Sequence, residues 1–154
     1  MNAFLHMRME DMRVSHVAHG DYEYTQRTFI GRRGSDQSRI CIYEVPPGKS
    51  AYPYHYHLKN EETFFILKGQ GLLRSPEGER PVKPGDLLFF PAGEDGAHKL
   101  TNTSDTEPLV YLDFDVVCDL DVTVYPDSGK LGIWGMDTNK IYRIGDDVDY
   151  YEGE

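Results

Sequence analysis

The sequence is poor in cysteine and in basic residues, and it contains no long apolar run. Cys41 and Cys118 are the only cysteines among 154 residues, which is typical of a reduced cytoplasmic protein rather than of a disulfide scaffold. Both are expected to be buried free thiols. Sixteen basic against 26 acidic residues give a net charge of −10, which argues against a nucleic-acid or anionic-membrane surface. No apolar run approaches the roughly 20 residues of a transmembrane helix, and the N-terminus does not resemble a signal peptide.

Short β-like segments, separated by glycine and proline, dominate the middle of the chain. No stretch with helical periodicity competes with them. Strands are predicted over residues 39–45, 62–67, 72–74, 87–90 and 109–117. This spacing indicates an all-β sandwich or barrel. We expect one domain over residues 1–154, with a core barrel at about 38–117 and two arms, 1–37 and 118–154, because neither flank has enough apolar residues for its own core.

The residue patterns of two predicted strands indicate how polar each of their faces is. Residues 64–67 are apolar on both faces, which predicts that a flap of the chain or a partner covers the outer one. We therefore expect a homodimer that buries Phe65 and Leu67. Residues 109–117 alternate between two faces, one with Leu112, Phe114 and Val116 and the other with Tyr111, Asp113 and Asp115.

The candidate chemistry lies in three histidines and one carboxylate: His55, His57, Glu62 and His98. His55 and His57 are two residues apart, so on a β-strand both side chains leave the same face. Imidazole and carboxylate together suit a divalent first-row transition metal, and Mn, Fe, Ni and Zn all fit this set. Octahedral coordination by four protein ligands leaves two positions for other ligands. Metal affinity is expected to fall below pH ~6.5, because ligand imidazoles must be neutral.

The stretch from Gly48 to Asn102 resembles the two sequence motifs of the cupin superfamily. The first motif is Gly…His-x-His-x(3–4)-Glu-x6-Gly, and the second is Gly-x5-Pro-x-Gly-x2-His-x3-Asn. The chain departs from them in two places: six rather than five residues precede His55, and four rather than two separate Gly93 from His98. The six-residue spacing to Gly69 favours Glu62 over Glu61 as the carboxylate.

This resemblance implies a double-stranded β-helix, or jelly roll, with the ion in its mouth and a small-molecule ligand. The segment YPDSGKLG at 125–132 is similar to a bacterial group of small cupins, described as sugar-phosphate-isomerase-like without a demonstrated reaction. Glu61 would then face outward or support the ligands, and it is also the candidate general base. No nucleophile motif and no phosphate-cradling glycine loop is present.

Several other residues are expected to serve packing or to contact solvent rather than to form the site. Tyr52, Tyr54 and Tyr56 have the opposite strand parity to His55 and His57, so all three are predicted to lie outside the pocket. Packing is the expected role of Trp134 and Tyr142, with a lid over the mouth as the alternative. Solvent-exposed side chains are predicted for Arg74, Lys99, His6, His16 and His19.

Three functions remain open from the sequence. The first is a metal-dependent enzyme on a sugar, sugar phosphate, or hydroxy or keto acid, either an isomerase or epimerase or, with iron, a dioxygenase. The second is a non-catalytic module that binds a sugar or small acid. The third is a structural dimer with an inert ion. Fold alone does not choose among them.

Overall fold

The computed structural model describes residues 4–31, 37–135 and 137–154 of the chain. Within these ranges it forms thirteen β-strands, three short 3-10 turns and no α-helix, so the predicted all-β class is confirmed. The strands are β1 (Arg13–His19), β2 (Tyr22–Ile30), β3 (Ser38–Val45), β4 (Tyr56–His57), β5 (Glu61–Lys68), β6 (Gly71–Ser75), β7 (Gly78–Val82), β8 (Leu87–Phe90), β9 (Lys99–Asn102), β10 (Leu109–Val116), β11 (Leu120–Tyr125), β12 (Lys130–Gly135) and β13 (Thr138–Arg143). The 3-10 turns are Met9–Asp11, Glu94–Gly96 and Pro126–Ser128. In the described ranges, no helix has the length and apolarity needed to cross a membrane.

The strands form three antiparallel sheets. The largest has six strands in the order β1-β2-β3-β10-β5-β8, and the other two have the orders β13-β12-β11-β4 and β7-β6-β9. In the large sheet β10 lies between β3 and β5, and its register places Asp115 opposite both Arg39 and Glu62. A line of charged side chains therefore crosses the sheet at one end.

The apolar core fills the other end of the space between the sheets. Tyr43, Ile66 and Leu109 of the large sheet are fully or almost fully buried there. They share one core cluster with Leu73 and Leu100, which lie on the three-stranded sheet. Because this core is aliphatic and aromatic, we expect the barrel to fold without a bound ion.

Both predicted arms contain strands that pair with the rest of the molecule. β1 and β2 extend the six-stranded sheet through β3, while β11 pairs with β4 and leads into the β12–β13 hairpin. The absence of a clear period in residues 1–26 has a physical reason. Every residue of β1 is exposed, so neither face is selected for apolar side chains.

The prediction that both cysteines are buried is wrong for Cys118. Cys41 is fully buried on β3, whereas Cys118 is exposed in the connection between β10 and β11. A residue just past a strand leaves the packed layers, and its side chain reaches solvent. Both cysteines are free thiols.

Candidate metal centre

The two histidine motifs meet through a backbone pair. His55 and His98 form an isolated antiparallel bridge in which each backbone N–H donates to the other carbonyl, at 3.1 and 2.9 Å. His57 lies two residues further, on β4, where it pairs with Thr123 of β11. The main chain thus fixes three histidines that are up to 43 positions apart in the sequence.

Glu62, near the start of β5, is the point on which the three imidazoles converge. Its Oε1 lies 3.4 Å from His57 Nε2, and its Oε2 lies 3.2 Å from His98 Nε2 and 3.7 Å from His55 Nε2. The structure therefore brings together all four residues of the predicted ligand set.

Hydrogen bonds distinguish the two ring nitrogens of each histidine. His55 Nδ1 donates to the Pro53 carbonyl at 2.8 Å, and His98 Nδ1 donates to the Gly96 carbonyl at 2.9 Å. His57 Nδ1 faces the Asp121 carboxylate at 2.5 Å. An acceptor at Nδ1 keeps a proton there, so Nε2 is the nitrogen of each ring that faces Glu62 and that can bind a metal once it is unprotonated.

Among the residues that the structure describes, two buried polar atoms at the centre have no hydrogen-bond partner. They are Glu62 Oε2 and His98 Nε2, on residues that are 8% and 2% exposed. Leaving such groups unpaired is costly, and a divalent cation would satisfy both. Three neutral nitrogens and one oxygen fit a first-row transition metal. His55, Glu62 and His98 also have ligand atoms within 4.8 Å of one another, as one ion requires, whereas His57 lies outside this group and contacts it through Glu62 Oε1.

Burial and charge shift the pKa values of these groups in opposite directions. Burial lowers the pKa of His55 and brings that of His98 down to about 4, so both rings are neutral near pH 7. Burial also lowers the pKa of His57, but its bonds to Asp121 and Glu62 outweigh that effect and raise it to about 10. Burial raises the pKa of Glu62, yet the bond to His57 and the neighbouring imidazoles bring it well below the usual value.

The two extra residues before His98 do not displace it. They belong to the 3-10 turn Glu94–Gly96, whose last carbonyl accepts the His98 Nδ1 proton. Gly96 is required there, because an added Cβ would lie 1.8 Å from the Pro91 carbonyl oxygen. Glycine thus allows the turn to fold tightly under the loop.

Glu61 and Glu62, adjacent in sequence, point to opposite sides of β5. Glu61 is exposed, while Glu62 is buried at the centre. Strand alternation is the reason.

A cavity of about 490 Å³ is lined by His55, His57 and Glu62, while the buried His98 is not part of its wall. Its wall includes Tyr52, Tyr125 and Trp134. The prediction that Tyr52 lies outside the pocket is wrong. The regular strand assumed for residues 52–57 is absent, since β4 contains only Tyr56 and His57, so parity does not extend back to Tyr52. Of the two candidate lid residues, Trp134 lines the cavity and Tyr142 is 44% exposed outside its wall.

Arg39, with two aspartates, forms a charged cluster that the sequence did not reveal as part of the site. Arg39 Nη1 donates to Asp113 Oδ2 at 3.0 Å and to Asp115 Oδ2 at 2.6 Å, and Nη2 donates to the Tyr43 hydroxyl. Burial raises the pKa of Asp113 well above its usual value, and the neighbouring Asp115 raises it further. The signal was the pair of aspartates inside a predicted strand, but alternation alone does not say which face is buried.

The same aspartates form a second group of close carboxylates with Glu62. Because the Arg39 guanidinium already lies within hydrogen-bond distance of two of them, it supplies the compensating positive charge. Arg39 and Asp115 line the cavity, so this cluster is part of the wall of the candidate site.

The remaining charged candidates lie away from the centre. Arg74 forms a partly exposed ion pair with Asp127, and Lys99 lies 5.4 Å from the centroid of the Tyr22 ring. His16 is exposed and close to Glu23. None of these three lines the cavity.

Comparisons with known proteins indicate the fold family. The cupin domain family matches residues 41–115. An oxalate-binding protein of Thermotoga maritima is 34% identical over 97 residues, which are 62% of this chain and 78% of that protein. A glucose-6-phosphate isomerase of Thermococcus litoralis is 40% identical over 65 residues, which are 38% of this chain but only 33% of that enzyme.

A solved structure extends the likeness to the flanking strands. A proposed sugar phosphate isomerase from Acidithiobacillus ferrooxidans superposes with a TM-score of 0.78 at 27% identity, over 90% of both chains. The coverage includes strands on both sides of the region that the family matches. The fold is thus the predicted double-stranded β-helix, and the chain belongs to the cupin superfamily.

Proposed function

We propose that this protein is a metal-dependent enzyme that acts on a small polar metabolite, as an isomerase or epimerase of a sugar, sugar phosphate, or hydroxy or keto acid. The observation that carries the proposal is the convergence of His55, His57 and His98 on Glu62 beside the cavity. Among the described residues, two buried atoms of this group, Glu62 Oε2 and His98 Nε2, have no hydrogen-bond partner. A divalent cation bound there supplies Lewis-acid polarisation of substrate oxygens.

The walls of the cavity fit a small hydroxylated or anionic compound. Lys130 presents positive charge, Arg39 lies in the wall paired with Asp115, and Tyr52 adds a hydroxyl group that is hydrogen-bonded to Tyr43 at 2.8 Å. These groups would orient a ligand through hydrogen bonds. Tyr125 and Trp134 form the apolar part of the wall and would exclude water from it.

The relatives support two ligand chemistries. The isomerase names of the Acidithiobacillus and Thermococcus proteins favour a sugar phosphate. The oxalate-binding relative favours the second candidate function, a non-catalytic module that holds a small acid. Since a fold hosts many reactions, names at these identities do not decide between them.

A ligand screen with product analysis separates the candidates. Purified protein with its own metal is tested by thermal shift against sugar phosphates and organic acids, oxalate included, and each hit is then incubated and analysed for conversion. An isomer or epimer formed from a hit supports the enzyme. A hit recovered unchanged supports the binding module. Oxygen consumption by an iron-loaded sample with a hit would point to a dioxygenase instead.

The ligand set itself is tested by His57→Ala. We expect elemental analysis to show loss of most of the bound Mn, Fe, Ni or Zn, while the circular dichroism spectrum stays that of the folded barrel, because the core lies elsewhere. His16→Ala, which removes an exposed histidine, is the matched control and should keep its metal. Full metal content in the His57 variant would overturn the assignment.

We further propose that the outer face of the large sheet binds a second copy of the chain. This face exposes six large apolar side chains on three neighbouring strands: Phe65, Leu67, Leu87, Phe89, Phe114 and Val116. A contiguous patch of this kind marks an interaction surface. Both free thiols agree with a reducing compartment such as the cytoplasm.

Light scattering tests the homodimer. The wild-type protein should have the mass of a dimer at micromolar concentration, and the double substitution Leu87→Asp with Phe89→Asp should give a monomer. Val148→Asp, at an exposed apolar residue of the C-terminal tail, serves as the control and should remain dimeric. A monomeric wild-type protein would contradict the proposal.

A further inference from the structure

We infer that Asp121 is a positioning residue for the His57 ligand, and that Thr123 and Trp134 support it, so that strands β11 and β12 are a working part of the metal centre. The inference rests on the ligand set proposed above. These residues lie outside 41–115, the part of the chain that the cupin family matches.

Asp121 holds both the His57 ring and the chain that leads to Glu62. Its Oδ2 accepts the His57 Nδ1 proton at 2.5 Å, and its Oδ1 accepts the backbone N–H groups of Lys59 and Asn60 at 3.0 and 3.3 Å. Residues 58–60 connect the ligand His57 to β5. One buried carboxylate, 1% exposed, therefore fixes one ligand ring and the loop before the next ligand.

The same loop is fastened to the connection before β11 by a second bond. Asn60, which is buried, accepts the backbone N–H of Cys118 at its Oδ1 at 2.8 Å. The loop is thus bonded to this arm at two points, to Cys118 and to Asp121. This double attachment limits movement of Asp121 relative to His57.

Thr123 and Trp134 support the ring from the next positions of the arm. The Thr123 hydroxyl lies 3.1 Å from His57 Nδ1, and the Trp134 indole N–H donates to that hydroxyl at 2.8 Å. Gly132 makes room for the indole, since an added Cβ would lie 2.6 Å from its six-membered ring. Trp134 also lines the cavity. A continuous path of contacts therefore joins the cavity wall to the ligand.

His57 differs in this respect from the other two histidines. The Nδ1 atoms of His55 and His98 face neutral backbone carbonyls, whereas that of His57 faces a carboxylate. A carboxylate behind a metal-bound imidazole fixes its orientation and makes its other nitrogen a stronger donor, and loss of such a partner costs about 10- to 100-fold in metal affinity. Asp121 thus acts on the metal through His57.

The test measures Co²⁺ binding by visible absorption in Asp121→Asn, His57→Ala and the double variant. We expect Asp121→Asn to weaken Co²⁺ binding by about 10- to 100-fold. In the His57→Ala background the same substitution should have no further effect, because its route to the metal is already gone. Asp127→Asn changes an exposed carboxylate of the same arm and should leave affinity unchanged.

The outcomes separate this inference from the proposed ligand set. If His57→Ala keeps wild-type Co²⁺ affinity, the ligand set fails. If His57→Ala loses affinity but Asp121→Asn does not, or if Asp121→Asn acts equally in both backgrounds, Asp121 is merely structural and the inference fails.

A second readout uses Trp134, the single tryptophan of the chain. Its fluorescence should change during Zn²⁺ titration with the same midpoint as metal binding. In Thr123→Val, which removes the hydroxyl between the indole and His57, this change should be lost or strongly reduced. An emission spectrum that does not respond to Zn²⁺ in the wild-type protein would overturn the part assigned to Trp134.

Discussion

At its charged end, the six-stranded sheet reverses the usual pattern of an antiparallel sheet, because its buried face is charged and its exposed face is apolar. On β10 the buried face carries Asp113 and Asp115, while the exposed face carries Phe114 and Val116. Antiparallel sheets commonly bury apolar residues and expose polar ones. The inversion shows that this end of the barrel is built to hold charge inside and to contact apolar surface outside.

The inner face itself changes character along β10. Leu109 and Tyr111 belong to the apolar core, whereas Asp113 and Asp115 bind Arg39, and Asp115 lines the cavity. One strand therefore serves folding at one end and binding at the other. The outer face has no such division, and its apolar side chains continue onto β5 and β8.

Removal of the buried Arg39 guanidinium from the inner face should cause the largest loss of stability. Arg39→Met would leave Asp113 and Asp115 buried without their guanidinium partner. We expect a loss of about 5 kcal/mol in the free energy of unfolding, measured by urea denaturation. Arg74→Met, which breaks the partly exposed pair with Asp127, should cost at most about 1 kcal/mol. Equal losses would remove the distinction between buried and exposed pairs.

The neighbours Phe64 and Phe65 compare the two faces on one strand. Phe64 is 4% exposed and packs on Phe90 and Tyr111, whereas Phe65 is 38% exposed. Phe64→Ala should lower the free energy of unfolding by about 3 to 5 kcal/mol. In a monomeric background, Phe65→Ala should lower the free energy of unfolding by less than about 1 kcal/mol. In the otherwise wild-type protein, the same substitution should weaken self-association, which light scattering measures. A larger loss at Phe65 in the monomer would place it in the core.

The pH dependence of metal binding should distinguish His57 from His55 and His98. Because a ligand nitrogen must be unprotonated, and the pKa of His57 is raised to about 10, a metal ion has to displace one proton near neutral pH. His55 and His98, with lowered pKa values, are already neutral. Affinity for Zn²⁺ should rise about tenfold, or about 1.4 kcal/mol, per pH unit between about pH 6.5 and 8.5.

Calorimetry in buffers of different ionisation enthalpy measures this proton release. One proton released at pH 7.5 agrees with the geometry at Asp121, whereas an affinity that levels off above pH 6.5 would agree with unperturbed imidazoles. The sequence alone predicts the second pattern, because it gives all three rings their ordinary pKa.

The sequence predicted three strands that carry residues of the site, β3 with Arg39, β5 with Glu62 and β10 with Asp115. Segments 87–90 and 39–45 match β8 and β3 closely, because each is rich in β-branched or aromatic residues and ends at proline. β1 was not predicted, since its exposed residues show no apolar face. Similarly, Tyr52 was misplaced because the alternation rule was applied where the chain is not a regular strand.

By itself the sequence determined the all-β class and the three histidines that meet at Glu62, because strand periodicity and motif spacing are local properties of the chain. Only the tertiary structure decided which face of β10 is buried, that Arg39 neutralises its aspartates, and that Asp121 lies behind His57. These facts depend on pairs such as His57 with Asp121, 64 positions apart, and on the register between strands. Contacts of that range arise from sheet topology, which no local pattern of residues encodes.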